Sequence, residues 1–200
     1  MGAGIAALCA NAGLPAGAVF GYAGSKGTRN GAAAAALEGM QGPRQPMSKD
    51  TEALAQITVG NFEDDLAKIA GHDWVVEAII EDLAVKRDFF TRLEALRREG
   101  PIVTSNTSGI MFRTIADGLP DRLGRDIANT HFFNPVLVMK LVELIPGAQT
   151  DGEATDTLAD FPGGELGKSV VFAKDTVKLY RQSDRLLLAA QRPEPGPDGV

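Results

Sequence analysis

Short runs of β-branched and aromatic residues alternate with longer apolar stripes of helical period through the middle of the chain, which predicts βαβ units around a parallel sheet. "WVVEAII" (74–80) reads as a buried strand. Residues 83–99 follow with apolar positions at Leu83, Phe89, Phe90, Leu93 and Leu96, a helical stripe closed by Gly100 and Pro101. "PIVTSNTS" (101–108) is the next predicted strand and ends in a polar turn. "GIMFRTIADGL" (109–119) predicts a short helix stopping near Gly118, and "DIANTHFF" (126–133), "VMKLVELI" (138–145) and "SVVFA" (169–173) predict further strands. Nearer the amino terminus, "GIAALCANAG" (4–13) and "AAAAALEGM" (32–40) are helical on propensity.

Three stretches resist this scheme. Residues 15–31 fall where a second strand belongs, yet glycine and other small residues dominate them. "FPGGELGK" (161–168) puts a proline and two glycines where a helix would otherwise run. Residues 177–200 turn basic and leucine-rich and then proline-rich, a composition that predicts a disordered tail behind one main domain at 1–176.

At 200 residues and 44% hydrophobic, the chain is long enough for one substantial core. Its net charge of -6, with no basic block, argues against nucleic acid as a partner. A single cysteine, Cys9, permits no disulfide framework and fits a reducing interior, where it reads as a small core residue. The apolar first twenty residues lack a basic leader, and Asn11, Gly13 and Pro15 interrupt them, so neither a secretory signal nor a membrane span is expected. These readings point to a cytoplasmic protein with no membrane partner and no metal.

Within "THFFNPVLVMKLVELIPG" (130–147) lie His131 and, twelve residues on, Glu143, both inside an apolar run where an unpaired polar group costs a few kcal/mol. If the two sit on antiparallel or crossing neighbours, the carboxylate can accept from one ring nitrogen and leave the other free to take a proton. Spacing alone also allows a satisfied core histidine beside an unrelated glutamate. "SNTSG" (105–109) gathers Ser105, Asn106, Thr107 and Ser108 at the carboxyl end of a strand, where doubly wound sheets place ligands; an ordinary helix N-cap is the other reading. "EDLAVK" (81–86) offers Glu81 and Lys86 in the same way, against a solvated first helical turn. "MGAG" at the amino terminus is only part of a glycine-rich phosphate loop.

Taken in order, "GAGIAALCANAG", "ITVGNFEDDLAKIAGHDWVVEAIIEDLAVKR", "IVTSNTSGI", "THFFNPVLVMKLVELIPG" and "LGKSVVFAKDT" closely resemble the NAD-binding domain of the 3-hydroxyacyl-CoA dehydrogenases of fatty-acid β-oxidation, over residues 2–14 and about 48–176. The resemblance implies an α/β fold, a Rossmann-type, doubly wound, mostly parallel sheet. It implies oxidation of an L-3-hydroxyacyl-CoA to the 3-ketoacyl-CoA with NAD as cofactor and an acyl-CoA as partner. By the same resemblance His131 matches the catalytic base and Glu143 the carboxylate that orients it. Ser108 matches a catalytic, substrate-binding serine that meets the 3-oxygen. Gly2, Glu81, Lys86 and Asn134 match cofactor-binding positions.

The chain departs from the family pattern in three places. Relatives carry a strand and two more glycines ahead of the segment matching Met1 and Gly2, so the fold is expected to be incomplete, lacking that first strand. No carboxylate stands between Pro15 and Asn30 to hold the adenosine ribose. After "AKDT" relatives continue into a helical domain through which they dimerise, and residues 177–200 do not resemble it. An impaired dehydrogenase is therefore the expectation. The alternatives are a non-catalytic binding module of the same fold and, behind it, an NAD-dependent reductase of a small hydroxy acid.

Overall fold

In the computed structural model, residues 1–14, 18–21, 28–41, 51–69 and 71–176 are described. The tail at 177–200 and most of the stretch 15–31 lie outside them. Five strands form the main sheet in the order β3 (Trp74–Glu77), β4 (Ile102–Ser105), β5 (Ile127–Phe132), β6 (Leu141–Pro146) and β7 (Ser169–Phe172). The pairs β3/β4, β4/β5 and β6/β7 run parallel, and β5/β6 alone is antiparallel. A separate parallel pair joins β1 (Ala18–Gly21) to β2 (Thr58–Asn61).

Helices cover both faces of the main sheet, as expected where parallel strands must be buried on both sides. On one face α5 (Leu83–Glu94), α6 (Phe112–Ala116) and α7 (Asp121–Asp126) pack Phe89, Phe90, Leu93, Phe112, Ile115 and Leu123 onto Val75, Val103 and Ile127. On the other, α1 (Gly2–Asn11) and α8 (Gly152–Gly164) cover Phe132, Val142 and Leu144. Strand β3 divides its side chains between the faces, Val75 to one and Trp74 and Val76 to the other, the period of two that a strand imposes. Helix α1 also turns Ala7 and Ala10 toward α2 (Gly31–Gln41), α3 (Thr51–Ala55) and the start of β2, so one alanine-rich helix packs against both strand groups. Between α1 and β3 runs an apolar groove of about 670 Å³ lined by Ile5, Cys9, Trp74, Val76, Leu158 and Phe161. Among the described residues no strand pairs with β3 on that side. Burial pushes the Cys9 thiol up to about 11.

Several boundaries differ from the sequence pattern, each for a local reason. The run 74–80 forms a strand only as far as Glu77, because the Glu77 carboxylate turns back to accept the Ile79 amide at 2.7 Å, and Ile80 is left 67% exposed. Helix α5 starts where Asp82 accepts the Val85 amide at its N-cap, and it stops before Leu96, which is exposed. Arg97 is buried there instead, paired with Glu94 and Asp126. The glycine-rich stretch does contain a strand, β1, because parallel pairing uses only backbone groups and tolerates small side chains. Helix α8 runs through Pro162 in its last turn. The lost hydrogen bond is offset by burial of Leu158 and by Phe161, which meets the Trp74 ring edge-on at 5.4 Å.

A charged clamp ties β3, β4 and α5 together at the carboxyl end of the sheet. Lys86 and Glu77 are both within 1% of complete burial, with Nζ 2.7 Å from Oε1, and Ser105 Oγ donates to the other oxygen of Glu77 at 2.6 Å. Removing one member of such a pair leaves an uncompensated buried charge, which costs about 3–5 kcal/mol. Lys86→Met is therefore expected to lower the urea midpoint sharply, and adding Glu77→Gln should restore part of the loss. A midpoint for Lys86→Met equal to the parent's would show that the clamp contributes nothing.

Candidate active site

Antiparallel pairing of β5 and β6 sets Ala128 opposite Pro146, Asn129 opposite Ile145, Thr130 opposite Leu144, His131 opposite Glu143 and Phe132 opposite Val142. The twelve-residue spacing thus becomes a direct cross-strand pair. His131 Nδ1 lies 2.9 Å from Glu143 Oε2, with the two residues 6% and 1% exposed. An ionised carboxylate has no proton to give, so Nδ1–H donates to it, and the neutral ring keeps its lone pair on Nε2. Nε2 has no partner among the described residues. Phe133 packs against the imidazole edge at 4.8 Å and fixes the ring's tilt. Glu143 Oε1 is buried without a partner among the described residues.

The loop after β4 holds the second group of predicted residues. It is neither helix nor strand over residues 106–111, and it caps no helix, since α6 begins after Met111 without a side-chain cap. Each polar side chain has a separate use. Asn106 Oδ1 accepts the Phe132 amide at 2.9 Å and so ties this loop to the residue beside His131. The Thr107 hydroxyl donates to Glu81, and the Thr107 carbonyl accepts from Asn129 Nδ2 at 3.2 Å. Ser108 is exposed, and its hydroxyl has no partner among the described residues. Glu81 and Lys86 do not form a solvated helical turn. Lys86 is buried, 3.3 Å from Glu81 Oε2, and Glu81 Oε1 accepts the amides of Ser108, Gly109 and Ile110 at 3.1, 2.6 and 3.2 Å.

Gly2 and Asn134 complete the predicted set. Gly2 opens α1 close to the end of β3, where an added Cβ would stand 3.6 Å from that of Ala78. Two residues on, a Cβ on Gly4 would stand 3.1 Å from Val136, so glycine there lets α1 approach the loop that carries Asn134 without displacing that side chain. Asn134 is exposed and precedes Pro135 through a cis peptide bond. That loop is held from below by Lys168, which is buried and donates to the carbonyls of Val136 and Met139. Burial, with a smaller contribution from Lys140, holds the Lys168 ammonium below its ordinary value. Sequence reasoning gathered Asn106 only as one of four polar loop residues, and it missed Glu77 and Lys168. A glutamate inside the apolar run 74–80 was the available signal for Glu77; Lys168 looks like an ordinary surface residue. Among the described residues no cluster of His, Cys, Asp or Glu could hold a metal ion, and no helix is long and apolar enough to cross a membrane.

Comparison with known proteins gives one consistent answer. The family model for the 3-hydroxyacyl-CoA dehydrogenase NAD-binding domain matches residues 1–176. A "Probable 3-hydroxyacyl-CoA dehydrogenase" of Deinococcus radiodurans is 38% identical over 88% of this chain and 51% of its own length. The human mitochondrial hydroxyacyl-coenzyme A dehydrogenase is 41% identical over 60% of this chain and 37% of its own length. The chain thus spans about half the length of the first relative and less of the second. Among solved structures, 3-hydroxybutyryl-CoA dehydrogenase from Escherichia coli superposes with a TM-score of 0.75 at 27% identity, covering 94% of this chain and 41% of that one. (S)-3-hydroxybutyryl-CoA dehydrogenase from Ralstonia eutropha gives 0.70 at 25% identity, over 97% and 70%.

The environment of Glu81 generates a pH prediction. Burial pushes its carboxyl up, but the Thr107 hydroxyl, the Gly109 amide and the Lys86 ammonium outweigh that and hold it below the usual carboxylate range. A carboxyl lowered in the folded state stabilises that state above its unfolded value, and the contribution disappears as pH falls through the folded one. Protection of the amides at residues 108–110 against hydrogen exchange, corrected for intrinsic rates, is therefore expected to hold from neutrality to the ordinary carboxylate range and to fail only below it. Loss of protection already near pH 6 would contradict this.

Proposed function

The chain belongs to the 3-hydroxyacyl-CoA dehydrogenase family, through that family's NAD-binding domain, and on that premise we propose that it oxidises the 3-hydroxyl of an L-3-hydroxyacyl-CoA to a ketone. One observation carries the proposal. His131 and Glu143 form a buried hydrogen-bonded pair whose outer ring nitrogen is unengaged among the described residues.

The chemistry follows from that arrangement. Nε2 of His131 takes the hydroxyl proton of the substrate while the electron pair of the C3–H bond leaves as hydride and the C=O bond forms. Bound NAD supplies the hydride acceptor. Glu143 holds the ring in the tautomer that presents Nε2 and stabilises the imidazolium as the proton arrives. Ser108, exposed on the loop tied to β5, donates to the 3-oxygen. The residues present fit the cofactor on two counts. At the amino end of α1 the amides of Gly2, Ala3 and Gly4 have no acceptor within the helix and no side-chain cap, the donor set that suits a phosphate group. Asn134 is exposed on the loop that α1 approaches through Gly4, where its amide can meet the nicotinamide. An acyl-CoA is the substrate partner in this reading, and the cytoplasm its compartment, in keeping with one cysteine left as a free thiol.

The test is reduction of acetoacetyl-CoA by NADH, the reverse reaction. Slow, impaired turnover is expected, and His131→Ala should slow it further by roughly two to four orders of magnitude, the usual worth of a general base, while NADH affinity by calorimetry stays close to the parent's. A His131→Ala chain that keeps most of its rate would reduce His131 to a core residue. A parent chain with no turnover would favour the non-catalytic binding module.

A further inference from the structure

The stretch "FPGGELGK" (161–168) breaks the helical pattern with a proline and glycines, and none of its residues takes part in the proton or hydride transfer. In the fold it is the turn that ends α8 and delivers Lys168 into the core. Gly167 takes a left-handed φ of 61°, which a side chain would strain, and the Lys168 amide donates back to the Pro162 carbonyl at 2.9 Å. One residue on, the Ser169 amide donates to the Lys140 carbonyl at 2.6 Å as β7 begins. The backbone of Lys168 is thus tied on both sides, and the residue is 6% exposed.

Its buried ammonium meets a pair of carbonyls. Nζ donates to Val136 O at 2.5 Å and to Met139 O at 2.7 Å, and no carboxylate among the described residues pairs with it. Both acceptors lie in the connection between β5 and β6. Apolar contacts hold that connection as well, since Val136 is buried and packs with Leu137 in the cluster of Ile5, Leu8, Phe132 and Val142. The amides of Val138 and Met139 close a turn on the Pro135 carbonyl at 3.0 and 2.9 Å. From Asn134 to Met139, however, Lys168 is the one hydrogen-bonding group among the described residues that reaches the backbone from elsewhere in the chain. Apolar packing has no direction, whereas hydrogen bonds from a charged donor are short, strong and directed, so they set the orientation of this turn.

The orientation matters because the turn rests between Lys168 and α1. Val136 borders Gly4, where an added Cβ would stand 3.1 Å from it. Asn134 stands two residues before Val136, exposed on the loop that borders the first turn of α1. We propose that Lys168 is a positioning residue for the cofactor that acts through Asn134, its ammonium setting the turn at 135–139 against α1 so that the asparagine amide meets the nicotinamide. This rests on the reading of Asn134 as a nicotinamide contact given above.

The test joins NADH titration calorimetry of the full chain to amide exchange. Lys168→Met keeps the apolar stem and removes the charged donor. It should speed hydrogen exchange at Val138 and Met139 by about tenfold or more and weaken NADH binding about tenfold, the equivalent of one net hydrogen bond in each case. Asn134→Ala should weaken NADH binding to a similar degree, and the double variant should bind no more weakly than Asn134→Ala alone, since residues that act through one contact are not additive. The imidazole nitrogen signals of His131 should stay as in the parent. Lys168→Gln keeps a donor without the charge, should fall between parent and Lys168→Met, and carries the test if Lys168→Met fails to fold. Unchanged exchange or unchanged NADH affinity in the folded Lys168 variants would overturn the proposal. So would additive losses in the double variant, or a His131 ring that changes with Lys168, either of which makes the lysine a general support of the fold. An Asn134→Ala chain that binds NADH like its parent, beside loosened amides in Lys168→Met, would sink the reading of Asn134 and the proposal with it, while leaving the lysine's hold on the loop intact.

Discussion

The antiparallel register of β5 and β6 is the constraint on which the site depends. Side chains alternate across a strand, so a slip of one residue would send His131 and Glu143 to opposite faces of the sheet and separate the pair. Burial makes that slip expensive. Every residue of β5 is buried, and Val142, Glu143, Leu144 and Ile145 of β6 are buried too, so a shifted register would expose apolar side chains along both strands and strand a carboxylate in the core. A sheet that is otherwise parallel reverses direction at this one pairing, and the functional pair sits on the reversal.

Neighbouring contacts reinforce the same register from outside the two strands. Asn106 holds the Phe132 amide at the end of β5, and Lys168 grips two carbonyls of the connection between β5 and β6. Three carboxylates, two of them buried, then divide the work at this end of the sheet. Glu77 clamps α5 to β3 and β4, Glu81 gathers the amides of the loop after β4, and Glu143 turns the imidazole. Each has a cationic or hydrogen-bonding partner, which is what keeps a carboxylate tolerable away from water.

The elements with a clear period were legible in the sequence. The strands at 74–77, 102–105, 127–132 and 169–172 fall inside runs chosen for alternating or continuous apolar character, β6 at 141–146 overlaps its expected run at 138–145, and α5 follows the stripe of Leu83, Phe89, Phe90 and Leu93. Short elements with little apolar pattern were not: α4 (Leu66–Ile69), α7 and the glycine-rich β1 owe their form to tertiary contacts that no local window contains. At the site, the oddity of a histidine and a glutamate in an apolar segment pointed to a pair, and the register supplied it. The inward direction of Lys86 and Glu81 was not readable, because a lysine three residues into a helix and a glutamate just before it look the same whether they face solvent or a neighbouring loop.

The central claim is that Glu143 fixes the His131 ring so that Nε2 is the free base, and nitrogen NMR of the ring measures this directly. The chain has only two histidines, His72 and His131, so with ¹⁵N-labelled imidazoles the His131 signals are assigned by their loss in His131→Ala. In its neutral form His131 is expected to carry its proton on Nδ1, hydrogen-bonded to Glu143, and to show an unprotonated Nε2; Glu143→Gln should abolish that preference. A neutral ring protonated on Nε2, with Nδ1 bare beside Glu143, would contradict the account.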